Sequence, residues 1–225
     1  MSTARLFAIT MAAALAIGAG KPTPKVNWNA AVVARPDGTH LVGNPAAKVK
    51  VVEYVSYTCS HCAAFEKEGS GEIAMGLVKT GSGSVEYRPF LRNVIDVAAA
   101  LMVNCGSPGK FQQNHAVVLR TQDKWLKAPS PAQEQRWSYG PFANRMRAIA
   151  GDLNLYALFE ARGYSRVQLD RCLANEAMGD AMARDTKAAI NTIGVIGTPS
   201  FVINGELQQV YDWANLRPIL MQATR

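Results

Sequence analysis

Cysteine and histidine are scarce in this 225-residue chain, with four of the first and three of the second. Beside the single C-x-x-C at Cys59–Cys62 there is no second such pair, no H-x-x-x-H, and no histidine after His115. A zinc site wants four ligands, so a metal use of Cys59, His61 and Cys62 lacks the residues to complete it. Long basic runs are also missing, and no aromatics interleave a basic stripe. The formal net charge of +7 therefore reads as a general solvated surface, and nucleic-acid binding is not expected. After the first twenty residues no apolar run reaches the 18 or more residues that a membrane span needs. Neither an internal repeat nor a low-complexity segment is present. What remains is 48% hydrophobic, enough for a packed core in one domain, or one domain carrying a large insertion.

Within the first twenty residues Arg5 is the only charge, and an apolar stretch follows from Leu6 to Ala19. Small residues at Ala16, Gly18 and Gly20 offer a cleavage exit, so 1–20 reads as a secretory signal peptide. The alternative, an uncleaved anchor, needs a longer run. Removing Arg5 with the segment takes the charge from +7 to +6. The first cysteine is Cys59, so no lipid-attachment cysteine lies near the junction. The expectation is a soluble exported protein in a compartment that permits disulfides, the periplasm.

Hydrophobic periodicity then sets out the elements. A short strand is expected over 28–34, a turn at Pro36-Asp37-Gly38, and a central strand over 49–56, where V-K-V-V-E-Y-V-S is β-branched and aromatic. Thr58 is placed to cap a helix running from 59 to about 79, and 84–90 reads as the next strand, completing a βαβ unit. Helices follow over 94–105, 110–120, 141–151, 155–162, 166–174 with Ser165 as cap, and 176–193, with a loop around Pro129 and Pro131. The chain returns as a strand ending at an Asn204-Gly205 hairpin turn, a short strand near 206–210 and a helix from about 212. A wholly helical block, about 93 to 187, is thus inserted in an α/β domain.

The C-x-x-C opens a helix directly after a buried-looking strand. Residues three apart share a helix face, so the two sulfurs can meet at disulfide distance. The N–H groups and dipole of that helix end favour an anion on Cys59, and a stabilised thiolate makes the disulfide more oxidising. His61, between the two, adds an imidazole that can support the thiolate; its alternative is an ordinary exposed histidine. Glu53 shares a strand face with Val49, Val51 and Val55, where a carboxylate is costly unless paired, protonated or functional. Six residues before Cys59, it can lie beneath the disulfide and relay a proton for Cys62; otherwise it is an edge-facing or ion-paired residue. Gly197-Thr198-Pro199 precedes a strand expected beside the site, where a cis-proline would present the Thr198 backbone to a peptide. Taken alone, T-P is an ordinary turn.

G-N-P-A-A (43–47), E-Y-V-S-Y-T-C-S-H-C (53–62) and G-T-P-S-F-V-I-N-G (197–205), in that order, resemble the thioredoxin superfamily, and within it the DsbA-like group of periplasmic thiol–disulfide oxidoreductases. The resemblance covers nearly everything after residue 40. It implies an α/β, thioredoxin-like fold with a large all-helical insertion between the βαβ unit and the cis-proline strand. The thioredoxin-like part would be 21–92 and 188–225, and the helical insertion 93–187. It also implies that Cys59 is the nucleophile, Cys62 resolves, His61 tunes, Glu53 relays protons, and Pro199 is cis beside Thr198. Ser60-His61 stands where the best-known DsbA has Pro-His, and Thr198 where that protein has Val. No cofactor is implied. The partners implied are reduced or unfolded exported proteins and a DsbB-like membrane reoxidant.

Too few residues precede the first motif to form the N-terminal dimerisation domain usual in periplasmic isomerases, which favours a monomeric oxidase over a reductase or isomerase. A different class is a peptide-binding chaperone module in which the cysteines are incidental. Cys105 and Cys172, both in the helical block, either pair, closing a loop of about 68 residues worth at most about 4 kcal/mol, or are two separately buried thiols.

Overall fold

The computed structural model describes residues 26–224. The segment 1–20 read as a signal peptide lies outside the described residues. A six-stranded mixed sheet carries the site, in the order β1-β2-β4-β3-β5-β6. Its strands are β1 (Val32–Ala34), β2 (His40–Gly43), β3 (Val49–Val55), β4 (Gly83–Pro89), β5 (Ser200–Ile203) and β6 (Glu206–Gln208). β3 and β4 run parallel, as a βαβ unit requires; the other pairs are antiparallel. β3 is a central strand and is buried at five of its seven positions. Its V-K-V-V-E-Y-V sequence supplies the β-branched and aromatic side chains that such a strand packs on both faces.

Between β3 and β4 lie α1 (Ser60–Glu68), α2 (Ser70–Ile73) and a π-helical turn, Ala74–Val78. The single helix expected over 59–79 is therefore interrupted, and Gly69 is the reason. Glycine is a poor helix former, and the missing side chain makes room for the Trp213 ring, 2.7 Å from where a Cβ would stand. The cap differs too: Cys59 occupies the N-cap position, and Thr58 turns its hydroxyl to Asp96 instead.

Eight α-helices fall between β4 and β5: α3 (Val94–Val103), α4 (Phe111–Arg120), α5 (Gln122–Trp125), α6 (Pro131–Ser138), α7 (Phe142–Asp152), α8 (Leu155–Glu160), α9 (Arg166–Leu173) and α10 (Glu176–Ala188). The fold is thus thioredoxin-like with a helical insertion. The region around Pro129 and Pro131, expected to be a loop, contains α6, because Ser130 and Gln133 form a reciprocal capping box with Pro131 at the first turn. Ser165 caps α9 the same way. At the far end, Asn204 (φ 51°) and Gly205 (φ 94°) form the tight turn between β5 and β6, and α11 (Trp213–Ala223) closes the chain with Asp212 as its cap.

One contiguous apolar core runs from the sheet (Val51, Val85, Phe201) into the helical block (Leu101, Leu119, Ile149, Phe159, Leu169). The insertion is thus packed onto the strand–helix unit and holds elements of the site in place. Cys105, just past α3, and Cys172, in α9, form a disulfide with an S–S length of 2.04 Å and a Cα separation of 5.6 Å. Among the described residues no helix is long and apolar enough to cross a membrane.

Candidate active site

β3 ends at Val55 and the chain turns through Ser56–Thr58, with Cys59 N–H donating to the Ser56 carbonyl at 3.2 Å. That turn sets Cys59 at the head of α1, where the first N–H groups of the helix have no helical partner and favour negative charge. Cys62, one turn on, is fully buried, while Cys59 keeps 4% of its surface exposed. Both are free thiols, so the structure is that of the reduced dithiol.

Across from them the Thr198–Pro199 peptide bond is cis. The Cys59 Sγ donates to the Thr198 carbonyl at 3.0 Å, so two segments 139 residues apart in sequence meet at the reactive sulfur. The Thr198 hydroxyl is buried and makes no hydrogen bond to another protein group.

The two thiols are driven in opposite directions. The Cys59 pKa is lowered from 9.0 to about 4, first by the hydrogen bond from Cys62; burial opposes this, and the Thr198 side chain and the N–H groups of Cys62 and His61 reinforce it. Burial pushes Cys62 well above the usual thiol range, and its bond to Cys59 adds to this. At neutral pH the pair is therefore a Cys59 thiolate beside a buried Cys62 thiol. His61 is exposed at the second position of α1, and its backbone N–H is among the donors to the anion.

Glu53, on β3, is near enough to Cys62 for its charge to raise the Cys62 pKa. It is 3% exposed, makes no ion pair among the described residues, and its pKa is raised from 4.5 to about 8, by burial first and by the charge of Glu66 second. It is thus mostly protonated at pH 7.

The helical insertion grips the turn before Cys59 from two sides. Asp96, wholly buried at the start of α3, accepts from Ser56 Oγ at 2.9 and 3.0 Å, Thr58 N–H at 2.9 Å, Thr58 Oγ1 at 3.2 Å and Arg92 N–H at 2.9 Å. Gln122 in α5 donates its amide to the carbonyls of Tyr57 at 2.8 Å and Cys59 at 3.0 Å. Sequence reading did not reach these two. Asp96 had a signal, being the only charge in the apolar helix V-I-D-V-A-A-A-L-M-V; Gln122 had none. Among the described residues no three His, Cys, Asp or Glu side chains gather as metal ligands.

A helix-borne dithiol on a parallel β3–β4 unit, faced by a cis-proline strand, is the site of the thioredoxin family. The chain belongs to that family: the model described as thioredoxin matches residues 35–221. Within it the fold is DsbA-like, its sheet interrupted by a helical insertion. A solved protein-disulfide isomerase from Novosphingobium aromaticivorans is 47% identical, with a TM-score of 0.80 over 84% of this chain and 98% of that one. Wolbachia pipientis alpha-DsbA1, at 19% identity, shares the fold with a TM-score of 0.67 over 82% of this chain and 89% of that one. A Rickettsia felis protein whose name includes protein-disulfide oxidoreductase is 28% identical over 170 residues, 75% of this chain and 54% of that protein. The chain thus spans about half the length of the curated relatives it matches.

Proposed function

We propose that the chain introduces disulfides into exported proteins through Cys59-Ser60-His61-Cys62, acting in the periplasm as a monomer. The observation that supports this direction is the Cys59 pKa of about 4. Stabilising that thiolate stabilises the reduced protein, and by linkage makes its disulfide a stronger oxidant. In the cycle a client thiolate attacks the Cys59 sulfur of the oxidised pair, and Cys62 leaves and takes a proton. A second client thiol then attacks the mixed disulfide, the client leaves with its disulfide formed, and Cys59 departs as a stable anion. A quinone-linked, DsbB-like membrane protein reoxidises the dithiol. Thr198 and Pro199 supply the backbone edge for the client peptide, and Glu53 exchanges the Cys62 proton.

A second reading, isomerase or reductase, is favoured by the name of the 47%-identical structure and by Thr198, a residue that thioredoxins and disulfide isomerases often carry before the cis-proline. The equilibrium potential of Cys59–Cys62 against glutathione separates the two. A value near the DsbA end, about −120 mV, fits the oxidase; one near −270 mV moves the chain to the reductases. Cys59→Ala is expected to abolish oxidation of a reduced client. Full turnover by that variant would end the dithiol reading altogether.

A further inference from the structure

The first turn of α1 is held differently in the two redox states. In the disulfide, the bond between Cys59 and Cys62 ties the two ends of that turn together. In the dithiol the tie is gone, and a helix end frays because its terminal groups lack partners. Yet the N–H groups of His61 and Cys62 serve the Cys59 sulfur only while the turn stays wound. Its first bond, from the Ala63 N–H to the Cys59 carbonyl, is a long one at 3.2 Å. The reduced turn needs a second hold.

Gln122 provides one from the insertion. Both hydrogen bonds donated by its side-chain Nε2 go to this segment, one to the Tyr57 carbonyl at 2.8 Å and one to the Cys59 carbonyl at 3.0 Å. The Tyr57–Thr58 peptide is gripped at both ends, its carbonyl by Gln122 and its N–H by Asp96 at 2.9 Å. The Cys59 carbonyl, which accepts the first helical bond, takes the amide as a second partner. Gln122 is itself firmly mounted. Three residues on, Trp125 is buried in the core, and its indole N–H donates to the Val118 carbonyl at 2.7 Å. Residues three apart share a helix face, so the ring that anchors α5 and the amide that reaches the turn lie on one side. The preceding helix, α4, is fastened to α1 by Arg120 on Glu66 at 2.9 Å, and to the turn by the Tyr57 hydroxyl, which meets His115 Nδ1 at 3.1 Å.

We infer that Gln122 is a positioning residue for the nucleophile, a brace that keeps the first turn of α1 wound in the dithiol once the disulfide no longer does so. The inference rests on the dithiol reading above. The amide touches neither sulfur and acts only through the backbone that carries Cys59. Its effect falls unequally on the two redox states, because the covalent bond makes the brace redundant in one of them. Gln122 therefore stabilises the reduced protein more than the oxidised one, and by linkage makes the disulfide a stronger oxidant. A side chain that only joined the insertion to the sheet would stabilise both states alike and leave the potential where it was.

The test compares the two redox states of the full chain. Gln122→Met has a similar length and neither donor, and Gln122→Leu takes its place if that variant does not fold. Equilibration with glutathione at pH 7 is expected to shift on the order of tenfold, the worth of one hydrogen bond, leaving the couple about 30 mV less oxidising. The thiolate absorbance of Cys59 should titrate about one unit above the wild-type value of about 4. In urea the reduced variant should lose more stability than the oxidised one. A glutathione constant within twofold of the wild type, or one moved in the other direction, would overturn the brace, whatever stability both states lose together. A wild-type protein whose Cys59 titrates like a free thiol would instead refute the dithiol reading itself.

Discussion

Replacing Thr198 with valine removes one hydroxyl and leaves the backbone contact untouched, so it isolates a single donor. As a thiol, Cys59 donates to the Thr198 carbonyl at 3.0 Å. As a thiolate it can only accept, and the adjacent Thr198 hydroxyl, buried and without another partner, is among the groups that lower its pKa. A hydrogen bond to a charged group is worth about 1.5–3 kcal/mol. At 1.4 kcal/mol per unit, its loss raises the pKa by about 1–2 units. The Cys59 value should therefore move from about 4 to about 5–6. By the same energy the couple becomes about 30–65 mV less oxidising. Reactivity at pH 7 hides the change, because both proteins are almost fully ionised there. The assay is thiolate absorbance between pH 2.5 and 8, paired with glutathione equilibration. A folded Thr198→Val protein that titrates at or below the wild-type value would refute the assignment of the hydroxyl as a donor to the anion.

Other perturbations have equally definite outcomes. Glu53 binds its proton more tightly when folded, so between pH 4.5 and about 8 the native state holds a proton that the unfolded chain has lost. The Glu53 contribution to the stability of the reduced protein should fall as pH rises through that window, by on the order of 5 kcal/mol, while the lowered pKa of Cys59 raises stability over the same range, so Glu53→Gln should gain stability with pH relative to the wild type in urea titrations. Equal slopes in both proteins would remove the buried acid from the argument. Asp96→Asn sets an amide donor against either the Thr58 or the Arg92 N–H and should cost about 1–3 kcal/mol by chemical denaturation. Replacing both Cys105 and Cys172 with serine opens a loop of sequence separation 67 and should cost about 4 kcal/mol, with no effect on the Cys59 titration.

The site's outline was legible because its signals are local. The C-x-x-C stands at a strand-to-helix junction, Asn204-Gly205 forms a two-residue hairpin turn, and Glu53 breaks an apolar strand face. The four-residue β2 escaped because it is too short to show a period, and α6 because two prolines outweighed the Ser130–Gln133 box. The contact that requires glycine at 69 was beyond reach, since it is made with Trp213, 144 residues away. The same holds for Gln122 and for the Tyr57–His115 contact. Each joins residues whose spacing carries no period and whose meeting depends on how the insertion docks.

The 139 residues between Cys59 and Thr198 also order events during synthesis. Cys59 leaves the ribosome early, Cys105 and Cys172 follow, and the strand that faces the first sulfur comes near the end. Until β5 adds to β3, the nascent chain lacks both the Thr198 hydroxyl and the peptide edge. The reactive sulfur thus gains the strand that faces it only when synthesis is nearly complete.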